Sequence, residues 1–167
     1  DCAEIVQSDA AWQCAKGTLS GQESPIETQV TTWEGTLQPD GDWQIAIERL
    51  ALGRGSVALD LSVQSGNWAA EARAHQVPVG RLAALSRAIE LPPWGIKGQL
   101  SGRLLAEGSS AGLSSLAADL VTDQIAYASA DGLNAAENLV LKTKLNARPL
   151  GAGWSFQASL AWPRGGL

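Results

Sequence analysis

Apolar and polar residues alternate with a period of two along much of the chain, and this pattern predicts β strands. The alternation is most regular in residues 56–63, 139–146 and 154–162, where most alternate positions are aliphatic or aromatic. Each of these segments has one apolar and one polar face, which is typical of a strand that is buried on one side. Less regular segments predict further strands at residues 2–7, 12–19, 30–37, 43–52, 68–77, 96–106 and 124–129.

Two segments depart from simple alternation. In residues 43–52 the apolar positions are odd-numbered up to Ile47 and even-numbered from Leu50 onwards. One extra residue in a strand returns the later side chains to the original face, so we predict a β bulge near residues 48–49. Residues 113–121 fit a strand and a helix equally well.

A short helix is predicted at residues 80–91, where Leu82, Leu85 and Ile89 fall on one face at intervals of three and four. Consecutive prolines at 92–93 remove two backbone amide donors, so the helix ends before them. The other elements are strands joined by turns. We therefore expect a mainly β fold, an antiparallel meander of hairpins that forms a curved sheet or an open sandwich or groove.

Composition and charge narrow the class of partner. The chain has 167 residues, enough for one domain with a core, and 17 acidic against 12 basic residues give a net charge of −5. Lys and Arg are not clustered, so nucleic-acid binding through phosphate neutralisation is not expected. No stretch approaches the roughly 20 apolar residues of a membrane-spanning helix.

Because the chain starts without Met and ends directly after an apolar strand, we expect residues 1–167 to be one β-rich module of a longer protein.

Two cysteines, Cys2 and Cys14, lie in the first predicted hairpin. If that hairpin turns at Ser8, the two side chains face each other across the strands and are within bridging distance. A disulfide that closes so short a loop contributes roughly 3 kcal/mol by restricting the unfolded chain, and it indicates an oxidising compartment. The alternative is a pair of free buried thiols in a cytosolic protein. Two cysteines and one distant histidine cannot provide the four ligands of a zinc site.

The sequence shows no signature of catalysis or of cofactor binding. His75, the only histidine, alternates with Glu71 and Arg73 on a polar strand face and is expected to be an ordinary surface residue. A catalytic serine needs a sharp turn of the Gly-x-Ser-x-Gly type. Residues 98–102 resemble this motif only superficially, because the strand pattern continues through them. We therefore expect no enzyme activity, no cofactor and no metal.

Tryptophan side chains offer two interpretations. Trp43, Trp68, Trp154 and Trp162 fall on the apolar faces of their predicted strands. Packing in a core is the more frequent role of such residues, whereas exposed and coplanar rings indicate stacking on sugars. A carbohydrate-binding β module is therefore one alternative function.

The second half of the chain carries an ordered set of short motifs. Residues 77–79 read Val-Pro-Val before the predicted helix, prolines and a glycine follow it at 92–95, and residues 98–104 read Gly-Gln-Leu-Ser-Gly-Arg-Leu. This order resembles the recurring unit of the AsmA-like superfamily of bacterial envelope proteins, of the TamB, YhdP and YdbH type, and YdbH-like members are the preferred match. Residues 135–139 with 142–145 are also similar. The cysteine hairpin has no counterpart in that unit.

The resemblance implies a segment of a Gram-negative periplasmic protein that is anchored in the inner membrane and transports lipid between membranes. Such proteins hold phospholipid acyl chains in a groove formed by the apolar face of a curved sheet. The corresponding lining residues are Val57, Leu59, Leu61, Leu139, Leu141, Leu145, Phe156 and Leu160. Expected partners are phospholipid and, through a sheet edge, other envelope proteins. Because a closed sandwich core shows the same alternation, a docking domain of a secretion or envelope-assembly apparatus is the other alternative.

Overall fold

The computed structural model describes residues 1–8, 11–19, 31–85, 96–129 and 135–166 and shows one open antiparallel sheet of ten strands. The strands lie in the sheet in the order in which they occur in the chain. They are β1 (Ile5–Ser8), β2 (Ala11–Leu19), β3 (Thr31–Leu37), β4 (Trp43–Leu52), β5 (Gly55–Gln64), β6 (Asn67–Pro78), β7 (Lys97–Ser109), β8 (Gly112–Ala128), β9 (Ala135–Leu150) and β10 (Gly153–Gly166). The prediction of an antiparallel meander is confirmed.

The predicted helix is present between β6 and β7 as α1 (Val79–Leu85). The rest of the predicted helix, the two prolines and the glycine after them fall in residues 86–95, which lie outside the described residues, as does Val30 at the start of the third predicted strand. The helix contacts β6 and β7. Val79 at its start packs against a small buried cluster of Ile125, Ala136 and Leu139.

Strand register places one continuous apolar row across the whole sheet. Residues that are directly opposite each other in an antiparallel ladder point to the same side. One such row crosses all ten strands through Ile5, Cys14, Gly35, Ile45, Leu61, Ala70, Ala106, Leu116, Ala147 and Phe156. The next row on the same side consists of Trp33, Ile47, Leu59, Ala72, Leu104, Ala118, Leu145 and Ala158. We call this side of the sheet the apolar face and the other side the polar face.

Bulges keep the apolar residues on one side over long strands. In β4, Ile47 is opposite Leu59 and Leu50 is opposite Val57, so residues 48–49 form the predicted bulge. This irregularity returns Leu50 to the apolar face. A second bulge interrupts β8, where the ladder to β9 shifts beyond Thr122.

The segment that fitted a strand and a helix equally well, residues 113–121, lies in β8 before this bulge. Residues 113–121 are strand, and they continue through the bulge to Ala128 instead of ending before a separate strand at 124–129. Gln124, inside the bulge, has a positive φ of 54°. Such a backbone angle is uncommon outside glycine and breaks the regular ladder, which is why the sequence pattern shows two segments.

The first hairpin contains the predicted disulfide but not the predicted register. Cys2 and Cys14 are bonded, with Cα atoms 6.0 Å apart. Ser8, however, pairs with Ala11, so the prediction of a turn centred on Ser8 was wrong. Cys14 lies opposite Ile5 in the ladder instead of opposite Cys2. A one-residue change of register would move Ile5 to the polar face, and the observed pairing keeps it beside Cys14 on the apolar face.

The sheet forms a single layer, and few side chains are fully buried. In the described part of the chain the buried apolar residues are Leu52, Val77, Ala118, Ile125, Ala136, Leu139 and Ala147. No second sheet or layer covers the apolar face among these described residues. Of the elements that the structure describes, α1 alone packs over one end of the face, at the cluster around Leu139. The fold is therefore an open sheet and not a closed sandwich.

Candidate apolar binding surface

All eight predicted lining residues lie on the apolar face. Val57, Leu59 and Leu61 come from β5, where they are opposite Ala74, Ala72 and Ala70 of β6. The other five come from β9 and β10, as Leu139, Leu141, Leu145, Phe156 and Leu160. The two groups are four strand spacings apart, about 19 Å. They therefore belong to one surface without touching each other.

The eight residues differ in their availability to a ligand. Phe156 and Leu160 are 66% and 69% exposed, whereas the three β5 residues are half-buried. Leu139 is only 5% exposed because it packs with Ile125 beneath α1. Leu139 thus supports the surface, and the exposed apolar area lies on the other residues.

Small side chains separate the two groups. Ala70, Ala72 and Ala74 occupy the β6 positions opposite Leu61, Leu59 and Val57, between β5 and β7. An alanine side chain is a single methyl group, so this strand forms a low strip beside the taller side chains of β5. Leu104 of β7, 40% exposed, rises on its other side. The sequence reasoning missed this strip because it selected only large apolar residues.

An apolar depression occupies the N-terminal end of the same face, with a volume of about 470 Å³. It spans β1 to β4, and no charged side chain lines it. Its apolar lining consists of Cys2, Ile5, Trp12, Cys14, Trp33, Leu37, Trp43 and Ile45. The register of the cysteine hairpin brings these residues together, so sequence reasoning with a different register could not find the depression.

Two tryptophan rings pack flat against glycines. A Cβ atom added to Gly17 would overlap the ring of Trp33, and one added to Gly108 would overlap the ring of Trp68. The indole Nε1 of Trp68 also donates a hydrogen bond to the backbone oxygen of Ser109 at 3.2 Å. These contacts show that both rings pack against the sheet itself.

The polar face carries a row of ion pairs. Arg73 contacts the carboxylates of Asp60 and Glu71, and Nε of Arg103 lies 2.7 Å from Oε1 of Glu71. The hydrogen bond from the Arg103 guanidinium lowers the pKa of Glu71, and burial of the carboxylate only partly opposes this. Further along the sheet, a depression of about 650 Å³ is lined by the charged residues Arg103, Asp119 and Lys144 together with apolar residues such as Leu105 and Val121. Charge is therefore concentrated on the side opposite the apolar face.

The only histidine and the candidate metal ligands of the described residues are not brought together in one site. His75 is exposed and pairs with Ser56 on the polar face, as expected for an ordinary surface residue. Among residues whose placement is described, no group of three or more His, Cys, Asp or Glu side chains is arranged to hold a metal ion. No helix in the same part of the chain is long and apolar enough to cross a membrane.

Comparison of the chain with family models, curated proteins and solved structures found no match. The AsmA-like resemblance therefore remains a prediction based on the short motifs. What the structure contributes is the surface itself: an open sheet with an apolar face that crosses ten strands.

Proposed function

We propose that this chain is a segment of a periplasmic lipid-transport protein and that its apolar face accommodates phospholipid acyl chains. The observation that carries the proposal is the apolar face of a single-layer sheet, which continues across all ten strands and which no second layer covers among the described residues. A water-soluble domain normally buries such a face against a second layer. An acyl chain is a covering of suitable chemistry because it is apolar along its whole length.

The dimensions and charge of the face agree with such a ligand. Nine strand spacings make the row of residues about 43 Å long, whereas the acyl chains of one bilayer leaflet span roughly 15 Å. The two apolar rows contain no charged residue. Each CH₂ group removed from water contributes about 0.8 kcal/mol. A lipid headgroup could stay in water at the margin of the sheet while its acyl chain covers the leucines and alanines.

The alternatives explain the face less well. A docking domain was expected to have an exposed, unpaired edge and a closed dry core. The described sheet has outer strands with one neighbour each, but it is open and encloses no dry core. A carbohydrate module was expected to present exposed coplanar tryptophans. Of the four candidates, Trp154 and Trp162 are exposed on β10, whereas Trp68 lies against Gly108. The order of β6, α1 and β7, with Gly98 and Gly102 at their predicted strand positions, further supports the AsmA-like interpretation.

Native mass spectrometry and lipid extraction on the periplasmically expressed chain test the proposal. We expect phospholipid to copurify with the wild-type chain and to be lost in Leu59→Asp, which places a charge on the apolar face. Ala58→Asp is the matched control, because residue 58 lies on the polar face opposite Arg73 and should keep the lipid. Leu141→Asp repeats the test on β9.

Circular dichroism must show that each variant retains its β structure. A folded wild-type chain that contains no lipid and binds no fluorescent fatty acid would contradict the proposal. Equal lipid loss in Leu59→Asp and Ala58→Asp would contradict the assignment of binding to the apolar face.

A further inference from the structure

The depression at the N-terminal end of the apolar face has an indole ring as its floor. Trp33 of β3 lies opposite Gly17 of β2, and a Cβ added to Gly17 would overlap the bond that its two rings share. At the other end of the indole, Cζ3 lies 2.8 Å from the position of a Cβ on Gly35. Two glycines therefore let the ring lie low against the backbone. Trp33 is half-buried, so part of its ring remains open to a ligand.

Larger side chains stand around this floor. Strand register places Trp12, Leu37 and Trp43 in one row across β2, β3 and β4. Trp12 and Leu37 are 50% and 47% exposed. On the β1 side, the depression is bounded by the disulfide between Cys2 and Cys14. The lining residues extend over four strands, about 14 Å, and over five positions of β3, about 13 Å, so the depression is compact and not elongated.

The chemistry of the depression differs from that of the middle of the apolar face. Three of the seven tryptophans line it, whereas the two apolar rows are aliphatic from β5 to β9. No charged side chain lines it. In the described part of the chain, the indole N–H groups of Trp12 and Trp43 donate no hydrogen bond, in contrast to that of Trp68. The depression thus offers aromatic surfaces and two hydrogen-bond donors.

We propose that this depression binds an uncharged compound of planar rings that carries a hydrogen-bond acceptor, such as a ketone oxygen, at its edge. Its volume of about 470 Å³ falls in the range of about 300–1,000 Å³ that is typical of small-molecule sites, which are mainly apolar and aromatic with a few polar groups. A planar ligand can stack with an offset on the indoles, with roughly 4.5–7 Å between ring centroids. Sulfur atoms, such as those of the disulfide, also make favourable contacts with ring edges.

Other ligands fit the depression less well. A charged compound would lose hydration without gaining an ion pair, because the lining is uncharged. A sugar ring would stack on an indole, but its hydroxyl groups need several polar partners, and the polar side chains of the lining are Gln13 and Thr36 besides the indoles. An acyl chain has no planar surface for stacking. The proposal does not rest on acyl-chain binding, because β1–β4 form the depression and the predicted acyl-chain residues lie on β5, β9 and β10.

Titration of the delipidated, oxidised chain with Prodan tests the site. Prodan is an uncharged naphthalene ketone whose emission depends on the polarity of its surroundings. We expect the wild-type chain to bind Prodan and Trp12→Ala to raise the Kd roughly tenfold. Trp12→Phe keeps a ring but removes the N–H donor, and should raise the Kd about threefold. The matched control is Trp154→Ala on β10, which removes an exposed tryptophan of the same face and should leave the Kd within about twofold of wild type.

A pair of glycine variants tests the floor without removing an aromatic ring. Gly35→Ala places a Cβ 2.8 Å from Cζ3 of Trp33, so the indole must shift. We expect the Kd for Prodan to rise at least about threefold. Gly153→Ala is the control, because its Cβ would meet no listed side chain and only the Leu150 oxygen at 4.0 Å. Circular dichroism must show that each variant retains its β structure.

The proposal is overturned by a folded wild-type chain that does not bind Prodan at the solubility limit of the dye. It is also overturned by one Kd for Trp12→Ala and Trp154→Ala, or by one Kd for the two glycine variants. Either result would mean that the dye binds elsewhere on the apolar face.

Leu141→Asp separates these failures from a failure of the proposed function. Leu141 lies on β9, five strand spacings or about 24 Å from β4, so this variant should weaken binding of a fluorescent fatty acid and leave the Kd for Prodan unchanged. A wild-type chain that binds the fatty acid but not Prodan would contradict the ring site alone. One that binds Prodan but not the fatty acid would contradict acyl-chain binding alone. Equal weakening of both ligands in Leu141→Asp would contradict a separate ring site.

Discussion

Replacing both cysteines by serine, Cys2→Ser with Cys14→Ser, removes the covalent link between the ends of the first hairpin. The two cysteines are 12 residues apart, and a loop of this length restricts the unfolded chain by about 3 kcal/mol. The physical question is which part of the sheet loses this stability. In the described sheet the ladders join only strands that are consecutive in the chain, so the link stabilises β1 and β2 directly and the distant strands only through the ladders between them.

We therefore expect local opening of the hairpin and not global unfolding. Hydrogen exchange followed by mass spectrometry resolves the difference, because peptides from β1–β2 and β7–β9 are measured together. Protection of the β1–β2 amides should fall roughly 100-fold, and that of β7–β9 should stay within about twofold of wild type. Ser8→Ala in the same hairpin is the control, since it leaves the disulfide intact.

A uniform loss of protection across the sheet would refute this reasoning. It would mean that the ten strands open as one cooperative unit despite their sequential contacts. Unchanged protection in β1–β2 would refute the calculated contribution of the disulfide.

Two further predictions concern backbone strain and charge. Gly102→Ala should lower the free energy of unfolding, measured in urea, by at least about 3 kcal/mol. Gly102 has a φ of 141°, and an added Cβ would overlap the backbone oxygen of Asp119 and lie 2.8 Å from Cα of Leu120. Gly112→Ala, with φ of 121° but open space around it, should cost only about 1 kcal/mol, and equal costs would contradict the role of close packing. The hydrogen bond from Arg103 lowers the pKa of Glu71, so the ionised carboxylate stabilises the fold at pH values above the pKa of an unfolded glutamate, about 4.3. This stabilisation is lost as the pH falls from there through the lower pKa of the folded state. Urea unfolding from pH 6 to pH 3 should therefore show a shallower loss of stability in Glu71→Gln, and identical slopes would refute the assignment.

Local patterns were sufficient for most strands, but not for residues 113–128 or for the cross-strand arrangement. Alternation in residues 56–63, 139–146 and 154–162 predicted three strands correctly, and the shift of face in residues 43–52 predicted the bulge at 48–49. These features depend on side-chain direction within one strand. The register of the cysteine hairpin depends on two strands and on the face each side chain must occupy, so the spacing of Cys2 and Cys14 could not determine it.

For the candidate surface too, local patterns predicted the side-chain directions but not the contacts between strands. Alternation placed all eight lining residues on a single side of their strands, as the structure has them. The contribution of the β6 alanines and the packing of Trp33 on Gly17 follow from neighbours in the sheet, which are distant in sequence. Whether a second layer covers the face is equally inaccessible to local patterns, because an open and a closed sheet need the same alternation.

The sequential order of the ten strands has a consequence for how the sheet can form. Every ladder joins a strand to the one before it in the chain, and most connections are short, although residues 20–30 separate β2 from β3 and residues 79–96 separate β6 from β7. Structures dominated by such nearby contacts tend to fold faster than β proteins in which distant segments must meet. A sheet of this order could grow by the addition of one strand at a time to its edge. Among the ten described strands, each new strand would need only the one before it to be in place.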